Sequence, residues 1–165
     1  MTAGDLPGYW LILVNALAWF TIQVGIGYLT HRMPGRLLKR LTPLLRTRQW
    51  EKNGNIYQRM FRVKKWKSRV PSGGTVFAGG FSLKQVVSKD KAYLEKWVLE
   101  SYRAELTHWL AILPVLLFFL WNPPLGWIIN LMYALAVNLP CIVVQRYNRP
   151  RLIAILEKDG FPYPS

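Results

Sequence analysis

The chain has 165 residues, 52% of them hydrophobic and eight of them Trp, yet its formal net charge is +14. That mixture excludes both a soluble globule and a disordered tail, and points to apolar spans joined by basic loops. The length allows a single membrane domain, 1–165, with nothing large beside it.

Tyr9 to Leu29 is a run of 21 uncharged residues, enough for roughly 30 Å of helix at about 1.5 Å per residue. It predicts a first span at about 9–29. A cleaved signal peptide would need a basic start, and no Lys or Arg precedes Arg32, so a retained span is expected. His31, beside Arg32, reads as an interfacial residue.

The basic connection 32–104 follows, with 18 of the 22 Lys and Arg residues. Arg36 to Arg46 alternates apolar and basic groups at near-helical spacing, which predicts an interfacial amphipathic helix. In Trp50 to Arg69, Trp50, Tyr57, Phe61, Val63 and Trp66 alternate with Arg59, Arg62, Lys64, Lys65 and Lys67. Pro71-Ser-Gly-Gly marks a turn, and Ala78-Gly-Gly argues for a loop through 75–90. A helix is expected from Lys91, with Lys96 and Glu100 at i,i+4, running into the second span. Basic residues among aromatics also describe nucleic-acid binders, but a loop tethered between spans reads better as an orientation signal that binds anionic headgroups. A second reading gives it a phosphate-rich ligand held by Lys and Arg donors.

The second span, 106–121, turns at Asn122-Pro-Pro into the third, 125–144. At 16 residues the second is short: it must tilt, thin the bilayer, or draw Glu105 and Tyr102 into the interface. Pro114 predicts a kink. Beyond the third span the chain reads Gln145-Arg-Tyr-Asn-Arg-Pro-Arg151, and Pro150 predicts that the helix ends at Arg149. Because basic segments stay in the cytoplasm, the N-terminus is expected outside, and the basic connection and the tail 145–165 inside. The fold class is therefore an all-α integral membrane protein of about three spans. Asn15, Gln23, Asn130 and Asn138 inside them read as interhelical hydrogen-bonding residues.

A hairpin that leaves and returns to one face brings Glu105, His108, Arg146, Asn148 and Arg149 to similar depth. Ionisable groups converging at a membrane border are a site hypothesis by default. Other chemistry is excluded: Cys141 is the only cysteine and reads as a packing residue, and two histidines cannot make a His-rich metal centre. P-loop, dinucleotide and Gly-x-Ser-x-Gly patterns are missing, and no Asp stands five residues after His108. Glu105 and His108, at i and i+3, share a helix face. They make either a histidine oriented by a carboxylate, or a Glu paired with Arg103 or Arg146 beside a His that caps the interface.

The runs Arg103-Ala-Glu-Leu-Thr-His-Trp-Leu-Ala-Ile-Leu-Pro114 and Asn138-Leu-Pro-Cys-Ile-Val-Val-Gln-Arg-Tyr-Asn-Arg-Pro-Arg-Leu152 resemble the glycosyl-4,4'-diaponeurosporenoate acyltransferase family. So do Val63-Lys-Lys-Trp-Lys67, Trp19-Phe-Thr-Ile-Gln23 and Arg32-Met-Pro34. The resemblance implies a bacterial cell-membrane enzyme of carotenoid biosynthesis. It would pass a fatty acyl group to a sugar hydroxyl of a glycosylated C30 carotenoid, toward a staphyloxanthin-like pigment. The alternatives are an acyltransferase for another glycolipid and a non-enzymatic lipid- or carotenoid-binding protein. No permanently bound cofactor is expected, and acyl-coenzyme A is the expected co-substrate, meeting the amphiphilic acceptor at the cytoplasmic interface. On chemical grounds His108 would act as base and Glu105 would orient it, while Arg146, Asn148 or Arg149 would hold the oxyanion. Lys64, Lys65, Lys67 and Arg103 would hold donor phosphates, with Trp66 anchoring the loop.

Overall fold

A computed structural model describes residues 8–71 and 73–158, and helix is the regular structure throughout them. Helix α1 spans Gly8–Arg32, α2 Gly35–Leu41, α3 Asn55–Phe61, α4 Lys91–Ile112 and α5 Pro124–Lys158. A 3-10 segment, Leu113–Leu120, prolongs α4 up to the turn. Three helices, Gly8–Arg32, Lys91–Leu120 and Pro124–Lys158, are long and apolar enough to cross a membrane. The first is apolar all round, and Ile12, Leu17, Phe20 and Leu29 are exposed on different sides of it. Such a helix needs lipid, not water, around it.

The short second span solves its length problem by tightening. A 3-10 helix rises about 2.0 Å per residue against about 1.5 Å for α-helix, so Leu106 to Leu120 covers roughly 26 Å. The segment opens at Leu113-Pro114, where the proline removes a backbone donor. The expected kink is thus a change of helix type. At the end that carries the Asn122 turn the spans are joined by polar side chains. Asn15 Nδ2 donates to Asn122 Oδ1 at 2.8 Å, Trp121 Nε1 to Asn15 Oδ1 at 2.8 Å, and Trp19 Nε1 to Asn130 Oδ1 at 2.7 Å. Trp19 also stacks on Phe118 with centroids 4.6 Å apart. Small amide groups bonded across helices are the adhesive expected where lipid is as apolar as leucine.

At the opposite end one expectation is corrected. Helix α5 does not stop at Arg149; it runs through Pro150 to Lys158. The local penalty at Pro150 is overridden because Leu152 and Leu156 are buried against Leu38, Leu45, Leu94, Trp97, Val98 and Tyr102. The connection 32–104 carries the expected helix as α2 and, beyond it, α3 and short 3-10 turns. Its first half folds back onto the extensions of α4 and α5 as a compact basic lobe. Within it α2 buries Leu38 and exposes Leu37, as an interfacial amphipathic helix does. Helix α4 begins at Lys91 as expected, capped by Asp90, which accepts from the Tyr93 backbone N–H at 3.1 Å. The anticipated Lys96–Glu100 pair is replaced: Glu100 accepts from Arg103 Nε at 2.9 Å, and Lys96 sits over the Phe81 ring.

Candidate functional site

The halves of α4 and α5 remote from the Asn122 turn meet in a buried ion network. Glu105 sits two turns before Ile112 on α4, and Arg146 and Arg149 share a face of α5 at i,i+3 spacing. Arg146 Nε donates to Glu105 Oε1 at 2.7 Å and its Nη1 to Glu51 Oε1 at 2.6 Å. Arg149 Nη2 pairs with Glu105 Oε2, its Nε with Ser101 Oγ at 2.8 Å, and its Nη1 with the Leu45 carbonyl at 3.0 Å. The Tyr102 ring lies under the Arg149 guanidinium, 3.7 Å away. Glu51, Glu105 and Arg149 are fully buried. Two carboxylates against two guanidiniums leave the network neutral, which is the condition for keeping ions out of water.

Glu51 enters from the basic lobe, and its position depends on one glycine. Residues Gln49–Glu51 form a 3-10 turn in which Glu51 Oε1 accepts from the Arg48 backbone N–H at 2.8 Å. Tyr57 donates to Glu51 Oε2 at 2.6 Å. Burial, then the Glu51 carboxylate, push the Tyr57 hydroxyl above its ordinary pKa, so it stays a donor. Gly54 follows at φ +79, and a Cβ there would stand 2.9 Å from the Arg146 carbonyl oxygen. Gly54→Ala is therefore expected to destabilise the protein by about 1–3 kcal/mol, read as a lower unfolding temperature in detergent. An unchanged temperature would show that the lobe does not depend on this approach.

Beside the network lies a cavity of about 710 Å³ between α1, α4, α5 and the segment 67–85. His108, Gln145, Asn148, Lys67, Arg103 and Gln23 contribute its polar lining. Asn138 Nδ2 donates to the Ala134 carbonyl at 2.9 Å, which turns its Oδ1 toward His108 Nδ1, 2.8 Å away. An amide oxygen only accepts, so Nδ1 carries the proton, and in the neutral ring Nε2 keeps a lone pair for base chemistry. Lys67 Nζ donates to Asn148 Oδ1 at 3.0 Å. Burial, then the charges of Arg151 and Lys64, hold the Lys67 ammonium below its ordinary pKa, so an anion beside it would be welcome. Lys84 and Lys96 also line this side. Among the described residues, two buried atoms of the lining lack a hydrogen-bond partner: Gln23 Nε2 and Gln145 Oε1.

The predicted site residues therefore separate into two groups. His108, Asn148, Lys67 and Arg103 stand on the cavity wall. Glu105, Arg146 and Arg149 belong to the ion network, and two roles given to them are corrected. Glu105 does not orient His108, because its oxygens are taken by the two arginines and by Trp109 Nε1 at 3.2 Å; Asn138 orients the ring instead. Arg149, wholly buried and bonded, has no face for an oxyanion, and both Arg146 hydrogen bonds run to buried carboxylates. Lys64 and Lys65 are exposed and lie outside the cavity lining. Trp66, half-buried, packs beside Tyr57, Val63, Val144 and Tyr147 and donates to the Phe61 carbonyl at 2.8 Å. Arg103 is bound to Glu100 and to the α1 end carbonyls of Thr30 and Met33, at 2.5 and 2.8 Å.

Sequence reasoning missed Glu51, Gln145 and the Asn138–His108 bond. The helical spacing of Asn138, Gln145 and Asn148 was the available signal for the last two. Nothing local marks Glu51, which lies 95 positions from its partner Arg146.

The profile of a family described as glycosyl-4,4'-diaponeurosporenoate acyltransferase matches residues 41–158. A protein of that name from Staphylococcus aureus strain Newman is 34% identical over 148 residues, 88% of this chain and 89% of the relative. Its counterpart from strain bovine RF122 / ET3-1 is 34% identical over 141 residues, 86% and 85% of the two chains. No solved structure matches.

Proposed function

The chain belongs to the glycosyl-4,4'-diaponeurosporenoate acyltransferase family, and we propose that it esterifies a sugar hydroxyl of a glycosylated C30 carotenoid inside the α1–α4–α5 cavity. The observation that carries the placement is His108, held in one tautomer by Asn138 on the wall of a cavity with a cationic side. His108 Nε2 takes the proton of the hydroxyl, and the sugar oxygen attacks the carbonyl carbon of an acyl thioester. The tetrahedral intermediate expels the thiolate, which recovers the proton from the imidazolium. No covalent intermediate on the protein is required. The donor is acyl-coenzyme A, its phosphates near Lys67, Lys84 and Lys96 and its acyl chain toward the apolar side of α1. The membrane-embedded acceptor and the water-soluble head of the donor meet at the cytoplasmic border.

Purified protein in lipid nanodiscs, given acyl-coenzyme A and glycosylated carotenoid acid, is expected to form one ester, detected by mass spectrometry. Ester from an acyl carrier protein thioester alone would overturn the donor, and no ester from either thioester would overturn the reading. The proposed placement carries an orientation with it, N-terminus outside and tail inside. Cysteines replacing Gly8 and Lys158, in a protein with Cys141→Ala, are expected to label from the outer and inner sides respectively. Labelling of both from one side would contradict three spans.

A further inference from the structure

Of the two lining residues with an unpartnered buried atom, Gln23 offers a donor and Gln145 an acceptor. Gln145 is 8% exposed, yet its Oε1 has no hydrogen-bond partner although it lies in the cavity lining. A buried acceptor left without a donor is a standing penalty, since burial has removed the water that satisfied it. Helical spacing puts Gln145 on the face that carries Asn138, Cys141 and Asn148. Cys141 and Asn148 line the same cavity, and Asn138 holds His108. This wall is polar and uncharged, whereas the cations Lys67, Lys84 and Lys96 come from the basic connection and from α4.

The ligand group that completes Gln145 must donate a hydrogen bond and, with the Lys67 ammonium on neighbouring Asn148, carry no positive charge. A polyene, a fatty chain and a thioester carbonyl have no such donor; a sugar hydroxyl does, and so do the pantetheine amides of the acyl donor, which the donor KM below separates from the sugar. Gln145 stands two turns from Asn138, a separation bridged by one hexose together with the reach of the Gln and His side chains. We infer that Gln145 is the sugar-recognition residue of the acceptor site: its Oε1 takes a hydrogen bond from one ring hydroxyl while another hydroxyl is presented to His108. The inference rests on the acceptor reading above. It gives the enzyme a way to prefer a glycoside over the free carotenoid acid, because only the glycoside satisfies the buried oxygen.

Gln145→Met removes the acceptor at nearly constant volume, and the test compares binding of two ligands. The parent and the variant in nanodiscs are titrated with glycosylated carotenoid acid and with its aglycone, followed by the carotenoid's visible absorption. The variant is expected to bind the glycoside about five- to tenfold more weakly, the value of one hydrogen bond. Its affinity for the aglycone and its KM for the acyl donor are expected to be unchanged. Its unfolding temperature should be equal or higher, since an unsatisfied polar atom has been replaced by an apolar one. Equal weakening for both ligands, a raised donor KM, or parental affinity for the glycoside would overturn the assignment. A parent that transfers acyl groups but binds aglycone as tightly as glycoside also overturns it, and leaves the acyltransfer reading intact. A parent without transfer overturns both.

Discussion

His108→Ala is expected to lower acyl transfer by about 10²- to 10⁴-fold, the usual loss when a positioned base is removed. The variant should insert and fold as the parent does, and weaken acceptor binding by no more than the value of one hydrogen bond, about five- to tenfold. The expectation comes from the bonding of a single ring. Asn138 spends its Nδ2 on the Ala134 carbonyl, so its Oδ1 can only accept from His108 Nδ1. The ring is thereby fixed in orientation and tautomer, the arrangement that a carboxylate or carbonyl provides for histidine elsewhere. Asn138→Leu removes the hold and keeps the base, so a smaller loss is expected in kcat with little change in acceptor binding. Near-normal turnover by folded His108→Ala would remove the base from the mechanism. A loss for Asn138→Leu as large as that for His108→Ala, with the protein still folded, would show that the tautomer decides the rate.

Much of this architecture is legible in the amino-acid sequence because lipid imposes simple rules. The uncharged run before His31, the Asn122-Pro-Pro turn and the placement of Lys and Arg locate three spans. Helix α4 from Lys91, the 75–90 loop and the polar residues joining the spans are legible for the same reason. What is hidden is whatever depends on long-range pairing. Pro150 predicts a helix end by its local effect on Arg149, yet buried Leu152 and Leu156 extend the helix past it. The short second span is resolved by a 3-10 segment that periodicity cannot announce. At the site, the convergence of α4 and α5 is readable, but the division of labour is not. Glu105 and His108 share a helix face, and spacing alone suggests that they bond. Glu105 has stronger partners across the interface, because two guanidiniums outbid an imidazole for a buried carboxylate.

That division makes the ion network the second test. Glu105→Leu is expected to destabilise the protein by about 3–5 kcal/mol, because it leaves Arg149 buried without its counter-charge. Arg149→Met should be similarly harmful, since Glu105 would then face only Arg146, itself shared with Glu51. Arg149→Lys keeps the charge but cannot reproduce forked donation to Ser101, Leu45 and Glu105. It should therefore lower the unfolding temperature, and any activity loss should follow from that. The double variant Glu105→Leu with Arg149→Met removes one charge of each sign and leaves the Glu51–Arg146 pair intact. Its unfolding temperature in detergent is expected to lie above that of either single variant. It should also retain acyl transfer, because His108 and Gln145 line the cavity and depend on neither residue for a hydrogen bond. Additive destabilisation would show that the two side chains act independently of each other. A stable double variant without turnover would instead return Glu105 or Arg149 to the chemistry, as the spacing of Glu105 and His108 first suggests.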